Sequence, residues 1–242
     1  MSDLYDYVSP NFAPIDPTPA FPDLTAGAPR GLIIDGRSIS DPHKWYYDRR
    51  QQTGFLNTDE ANLVHQLALP FAGRRALEIG CASGYSSWHL LAAGLELVIC
   101  DPLLQFEENR DAVSRALEEF SGHHAFIGVP SPDGAREIGR VMGPWAFVFI
   151  DGNHDAPQPI IDAAVARHFC AADAMIVFHD AVLLPVFEAM VMLVAMGWKA
   201  RIYHTSQVIG CCWRGDVAPV AHVPDPALLA RKLPGYLKMF DR

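Results

Sequence analysis

Short, continuous apolar runs alternate with amphipathic stretches through the middle of this chain. The runs at 75–79 (RALEI), 96–100 (ELVIC), 125–128 (AFIG), 145–150 (WAFVFI) and 175–178 (MIVF) lack a polar face, which predicts strands buried on both sides of a sheet. Between them, 106–120 places Phe106, Val113, Leu117 and Phe120 on one stripe, and 159–169 repeats Ile160, Ile161, Ala164, Val165, His168 and Phe169, the spacing of amphipathic helices. An earlier helix starts at a cap on Asn57 or Thr58. It carries Asp59 and Glu60 in its first turn, puts Leu63, Val64, Leu67 and Ala68 on one face, and ends at Pro70. A further helix is predicted over 182–195. After it, KARIYHT and QVIGCCW form two strand patterns separated only by Ser206, and so short a link permits only an antiparallel pair. The fold class expected is α/β: a doubly wound, Rossmann-like sheet of seven strands, five parallel followed by an antiparallel hairpin, with helices on both faces.

Outside this region the pattern fades. Residues 1–30 hold prolines at 10, 14, 17, 19, 22 and 29 with no sustained periodicity, which reads as an extended arm. The expected organisation is an arm and lid over 1–52, a core over 53–214, and a linker with a short helix over 215–242. Half of the residues are hydrophobic, the net charge is -9 and the pI is near 5.5. With no visible cluster of Lys and Arg, a nucleic-acid partner is not expected. The five cysteines lack C-x-x-C spacing, which fits a reducing, cytoplasmic setting. The start of the chain has no signal-peptide pattern, and the most apolar stretch, 182–198, is broken by Pro185 and Glu188, so no membrane partner is expected.

The chemistry concentrates at strand ends. In ALEIGCASGYSSWHLL the first strand runs into Gly80 and Gly84, where a doubly wound sheet brings its backbone closest to a ligand. A dinucleotide turn would read G-x-G-x-x-G, but Ala82 and Tyr85 stand where the second and third glycines belong. Asp101, ending the second strand, can accept both hydroxyls of a ribose and suits any nucleoside. At the ends of the fourth and fifth strands, FVFIDGNHDA and MIVFHDA bring Asp151 and Asp180 to one rim. Carboxylate oxygens with water there suit a hard cation such as Mg²⁺, which can bind and acidify a hydroxyl. Both aspartates can also cap the helices that follow.

The stretch LEIGCASGYS resembles motif I of the class I S-adenosylmethionine-dependent methyltransferases, in the form found in catechol-type, metal-dependent O-methyltransferases. The strings IDGNHD and VFHDA are similar to the group that includes macrolide-sugar O-methyltransferases and cephalosporin-hydroxylase-like proteins. The resemblance spans about 53–214. It implies S-adenosylmethionine lined by Glu78, Gly80, Cys81, Gly84, Tyr85, Ser86, Asp101, Ser131 and Phe55, the last within TGFLN. It also implies a divalent metal (Mg or Mn) on Asp151 and Asp180, with His154 as a base. His179 stands where macrolide-sugar enzymes often carry an acid, and Ala181 where the catechol type has asparagine. His179 is therefore either a nitrogen ligand favouring a softer ion or a residue packed behind the site. Ser131 lies near the adenine or, with Asp133, caps a helix. Trp45, Tyr46, Tyr47, Arg49 and Arg50 form either a lid over the acceptor or a segment packed on the sheet or a second subunit.

The function expected is methyl transfer to a hydroxyl oxygen of a small molecule, catalysed by His154, Asp151 and Asp180. An NAD-dependent oxidoreductase and a noncatalytic nucleoside-binding module stay open as alternatives, as does a homo-oligomer.

Overall fold

Strands form where the apolar runs lie. In the computed structural model, which describes residues 7–21, 56–229 and 232–240, the main sheet consists of β1 (Arg75–Ile79), β2 (Glu96–Cys100), β3 (His124–Ile127), β4 (Trp145–Ile150), β5 (Cys170–Phe178), β6 (Lys199–Tyr203) and β7 (Ile209–Arg214). The backbone of short pairs is also described, Leu24–Ala26 with Tyr46–Asp48 and Ile33–Ile34 with Arg37–Ser38. The expectations for Phe55, Trp45, Arg49, Arg50 and the side chains of Tyr46 and Tyr47 fall outside the described residues.

The sheet order is β6-β7-β5-β4-β1-β2-β3. Strands β1 to β5 are parallel, and β7 pairs antiparallel with both β5 and β6, the mixed seven-stranded arrangement expected. Side chains alternate faces with period 2. Ala76, Leu97, Ile99, Phe147, Phe149 and Val177 join one core layer, whereas Leu77, Val98, Val148, Ile150, Ile176 and Phe178 join the other. The first layer is covered by α1 (Thr58–Ala68), α2 (Tyr85–Ala92) and α3 (Glu107–Ala116); the second by α4 (Asp133–Met142), α5 (Gln158–His168) and α6 (Leu184–Ala195).

Helix α1 begins with a reciprocal cap. The Asn57 side chain accepts from Glu60 N at 2.8 Å and the Glu60 carboxylate accepts from Asn57 N at 3.1 Å, satisfying two otherwise orphaned donors. Helix α3 is shorter than its stripe predicts. Phe106 is only its N-terminal flank and is 55% exposed, while Val113 and Leu117 are buried. Helix α5 presents Pro159, Asp162, Ala163 and Ala166 to the sheet rather than the predicted aliphatic stripe. Small alanines let its backbone approach the strands closely, leaving Ile160, Ile161, Ala164 and Val165 half-exposed.

The arm and tail pack onto the core. Phe12 and Phe21 enter the α1–α2 layer, with Phe21 edge-on to Tyr85 at 5.5 Å. Ser9 N donates to Asp59 at 2.9 Å, and His222 Nε2 lies 2.9 Å from the same carboxylate. Leu237 and Phe240 of the tail are buried beside Phe187 of α6. All five cysteines are free and buried. Among the described residues, no helix is long and apolar enough to cross a membrane.

Candidate active site at the carboxyl edge of the sheet

The turn after β1 is built by positive φ angles. Gly80 and Gly84 have φ +85° and Ala82 +46°. A Cβ on Gly80 would lie 2.3 Å from the Asp151 carbonyl oxygen, so only glycine permits the turn to lie against the end of β4. Gly84 then serves as the N-terminal flank of α2. Across the turn, Asp101 Oδ2 accepts from Cys81 N at 2.9 Å and Ala82 N at 3.1 Å, and Oδ1 accepts from Leu103 N at 2.8 Å. Three of the roughly four acceptor positions of this carboxylate are thus used by backbone.

Other residues of the expected cofactor set point elsewhere. Glu78 is fully buried, and Ser86 donates to its Oε1 at 2.6 Å while Ser87 donates to Oε2. Burial pushes its carboxyl up to about 8, the serine bonds offsetting part of the rise. The Tyr85 ring is buried against Phe21 and His89. Ser131 donates to Asp162, which also accepts from Gln158 Nε2 at 2.7 Å. Neither Ser131 nor Asp133 supplies a side-chain cap to α4.

Beyond the turn, the ends of β4 and β5 bring together the acidic residues read from sequence. His154 Nε2 lies 3.5 Å from Asp151 Oδ1 and 3.3 Å from Asp180 Oδ2, with the three side chains 31%, 19% and 16% exposed. Their donor atoms fall within 4.8 Å of one another. Neighbouring ligands on a six-coordinate ion at about 2.1 Å stand about 3 Å apart, so two carboxylate oxygens and one imidazole nitrogen at these separations fit a divalent cation. Asp180 holds φ +55°, an uncommon conformation for a non-glycine residue and one that recurs at functional sites.

His179 lies beneath this group and is not part of the converging set. It is fully buried. Its Nδ1 is 2.9 Å from Asp180 Oδ2 and 3.3 Å from Asp151 Oδ1, and its Nε2 faces Glu60 Oε2 at 3.6 Å. A ring whose Nδ1 is engaged by the aspartates and whose Nε2 faces a third carboxylate is placed to support those aspartates, not to ligate an ion beside them. Burial alone would lower the pKa of His179, but the Asp180 and Asp151 charges hold it well above the usual value. For His154 the balance is similar: burial lowers it, and the Asp151 and Asp180 carboxylates beside it raise it further. Burial pulls Asp151 upward, while His179 and His154 bring it below the usual carboxylate range.

The sequence reading placed Glu60 only as an acid in the first turn of α1; the spacing Asn57-x-x-Glu60, half of a capping box, was the signal that could have found it. A separate groove of about 590 Å³ runs between α4 and α5, lined by Ile160, Ile161, Val165, Arg136, Arg140 and Arg167 among others. It extends to Phe169, whose carbonyl binds Trp145 N at the start of β4, so it adjoins the opposite end of the strand from Asp151.

The seven-stranded sheet with its reversed final strand is the Rossmann-like methyltransferase fold. Residues 77–181 match the family described as a methyltransferase domain. The structure is similar to the O-methyltransferase TomG from Streptomyces achromogenes, solved with SAM, at 21% identity over 68% of this chain and 83% of that chain, with a TM-score of 0.52. It is also similar to an O-methyltransferase from Bacillus cereus in complex with SAH, at 18% identity over 64% and 80% of the two chains and a TM-score of 0.51. In sequence, a tRNA U34 carboxymethyltransferase of Geobacter sp. (strain M21) is 36% identical over 61 residues, 25% of this chain and 19% of that protein. The chain therefore matches about a fifth of that relative's length.

Proposed function

We propose that the protein transfers the methyl group of S-adenosylmethionine to a hydroxyl oxygen of a small molecule, assisted by a divalent cation. The convergence of Asp151, His154 and Asp180 beside the Gly80 turn carries this reading. Asp151 and Asp180 would hold a Mg²⁺ ion, a hard cation that takes oxygen ligands and retains water. When bound, it would supply Lewis acidity to the acceptor hydroxyl. That leaves His154, the most exposed of the three side chains, to take the hydroxyl proton. A softer ion would instead recruit its Nε2 as a third ligand. The turn from Gly80 to Gly84 would position the donor, with Asp101 exchanging a backbone partner for a ribose hydroxyl. Sulfonium and alkoxide neutralise each other as the methyl group moves, so a dry, well-aligned pocket favours the step.

A small acceptor fits the net charge of -9 better than the tRNA named for the short-matching relatives. The test combines calorimetric titration of S-adenosylhomocysteine with methyl transfer from labelled S-adenosylmethionine to a panel of phenols, sugars and polyketide alcohols, with Mg²⁺ or EDTA. Asp151→Asn is expected to lower turnover by about 100-fold or more while S-adenosylhomocysteine affinity stays within about 3-fold, a shift of well under 1 kcal/mol. Turnover indifferent to both EDTA and this substitution would overturn the cation's role. The absence of S-adenosylhomocysteine binding would overturn the reading as a whole.

A further inference from the structure

Glu60 is buried more deeply than a helix cap requires. Its side chain is fully inaccessible, Oε2 accepts from Asn57 N at 3.1 Å, and Oε1 accepts from Gln207 N at 2.7 Å in the β6–β7 connection. Capping contributes about 1 kcal/mol, whereas taking a carboxylate out of water costs several kcal/mol unless it is paired. A cap alone therefore does not account for a buried acid here. The group it faces is the His179 ring, whose Nε2 is buried without a hydrogen-bond partner and lies 3.6 Å from Glu60 Oε2. That distance is longer than a hydrogen bond, so the carboxylate and the ring edge are packed face to face rather than bonded. The other edge of the ring meets Asp180 at 2.9 Å and Asp151 at 3.3 Å.

We propose that Glu60 is a positioning residue: its carboxylate, clamped by two backbone N–H groups from separate elements, fixes the His179 ring so that Nδ1 donates to Asp180 and sets the Asp151–Asp180 pair at the spacing a divalent cation takes. The proposal rests on the metal-assisted reading above. Glu60 cannot swing away, because Asn57 N and Gln207 N hold one oxygen each. His179 cannot rotate without turning a bare ring edge toward a carboxylate. The N-terminus of α1, the β6–β7 connection and the end of β5 thus meet at one buried ring, and the aspartates inherit their orientation from it.

Glu60→Gln is the test. Glutamine retains the size, but it has one acceptor end where glutamate has two, so its NH2 must face either the Gln207 N–H or the Asn57 N–H and the ring edge, and one side of the clamp is lost. The expected result is a folded protein with unchanged S-adenosylhomocysteine affinity, a 10- to 100-fold weaker Mg²⁺ affinity by calorimetry, of the order seen when groups behind metal ligands are changed, and displaced His179 ring signals in ¹⁵N-edited NMR. His179→Asn leaves the α1 cap intact and removes the ring, so it should weaken Mg²⁺ binding equally. It also keeps the proposal testable should Glu60→Gln fail to fold.

Wild-type Mg²⁺ affinity and wild-type ring signals in Glu60→Gln, or wild-type affinity in His179→Asn, would overturn the proposal. A wild-type protein that neither binds Mg²⁺ nor transfers methyl would instead remove the reading beneath it, leaving the ring signals to decide whether Glu60 holds His179.

Discussion

Glu78 was expected to serve the cofactor, yet its carboxyl is spent inside the protein, bridging β1 to the Ser86 and Ser87 hydroxyls at the start of α2. This has a consequence for stability. Burial raises its pKa from the ordinary 4.5 to about 8, so between those values the folded state keeps a proton that the unfolded chain has lost. Where the folded state binds more protons, stability falls as pH rises. Glu78 therefore costs nothing below about pH 4.5, and its penalty is complete above about pH 8. Glu78→Gln removes that titration while keeping a neutral side chain of the same size. Urea midpoints measured at pH 5 and pH 8.5 should converge for the variant relative to wild type; an equal fall in both proteins would assign the pH dependence to other groups. The glycine turn, by contrast, was legible from sequence because its constraint is local, the positive φ of Gly80 and Gly84 that favours glycine at both positions.

At the scale of elements, apolar runs announced the strands because a parallel sheet covered on both faces leaves no polar side to obscure the signal. Boundaries were less legible. β5 starts at Cys170 rather than at 175, because Cys170 pairs with Trp145 ahead of a register irregularity, and the Arg214 guanidinium, 44 residues on from Cys170, donates to the Cys170 and Ala171 carbonyls. The aliphatic stripe of α5 was read as core, but the alanines on its other side set the packing. The site divided in the same way. Asp151, His154 and Asp180 were readable because they follow predicted strands; the link from Glu60 to His179 joins residues 119 apart and leaves only a capping motif in the sequence. That cap can be tested separately. Asn57 holds Glu60 N at 2.8 Å and donates to Ser206 at 2.7 Å, so Asn57→Ala should cost about 2 kcal/mol, the upper end for an N-cap. Asn57→Asp, which keeps the cap acceptor but loses the donor, should cost less. Urea unfolding checks the order of the two.

For the whole molecule, the question is whether the proline-rich beginning is an appendage or part of the fold. Its composition suggested an appendage, since prolines at irregular spacing carry no periodic signal. Long-range contacts decide otherwise for residues 7–21. Tyr7 donates to the Val223 carbonyl at 2.7 Å, Val223 N donates to Ser9 Oγ at 3.0 Å, and Asp59 of α1 receives both Ser9 N and His222. The two ends of the chain are thereby tied over the helix that carries Glu60. Phe21 completes the closure by packing on Tyr85, the first residue of α2 and next to Gly84. Phe21 is only 7% exposed, so Phe21→Ala leaves a cavity. It should cost about 3 kcal/mol, the low end for a buried phenylalanine, which lowers the melting temperature of a chain this size by about 6–12 °C. Calorimetry in the absence of ligand gives the number directly. An unchanged melting temperature would return the arm to the status of an appendage; the expected fall would make the arm part of the frame that holds α1, α2 and the candidate site at one edge of the sheet.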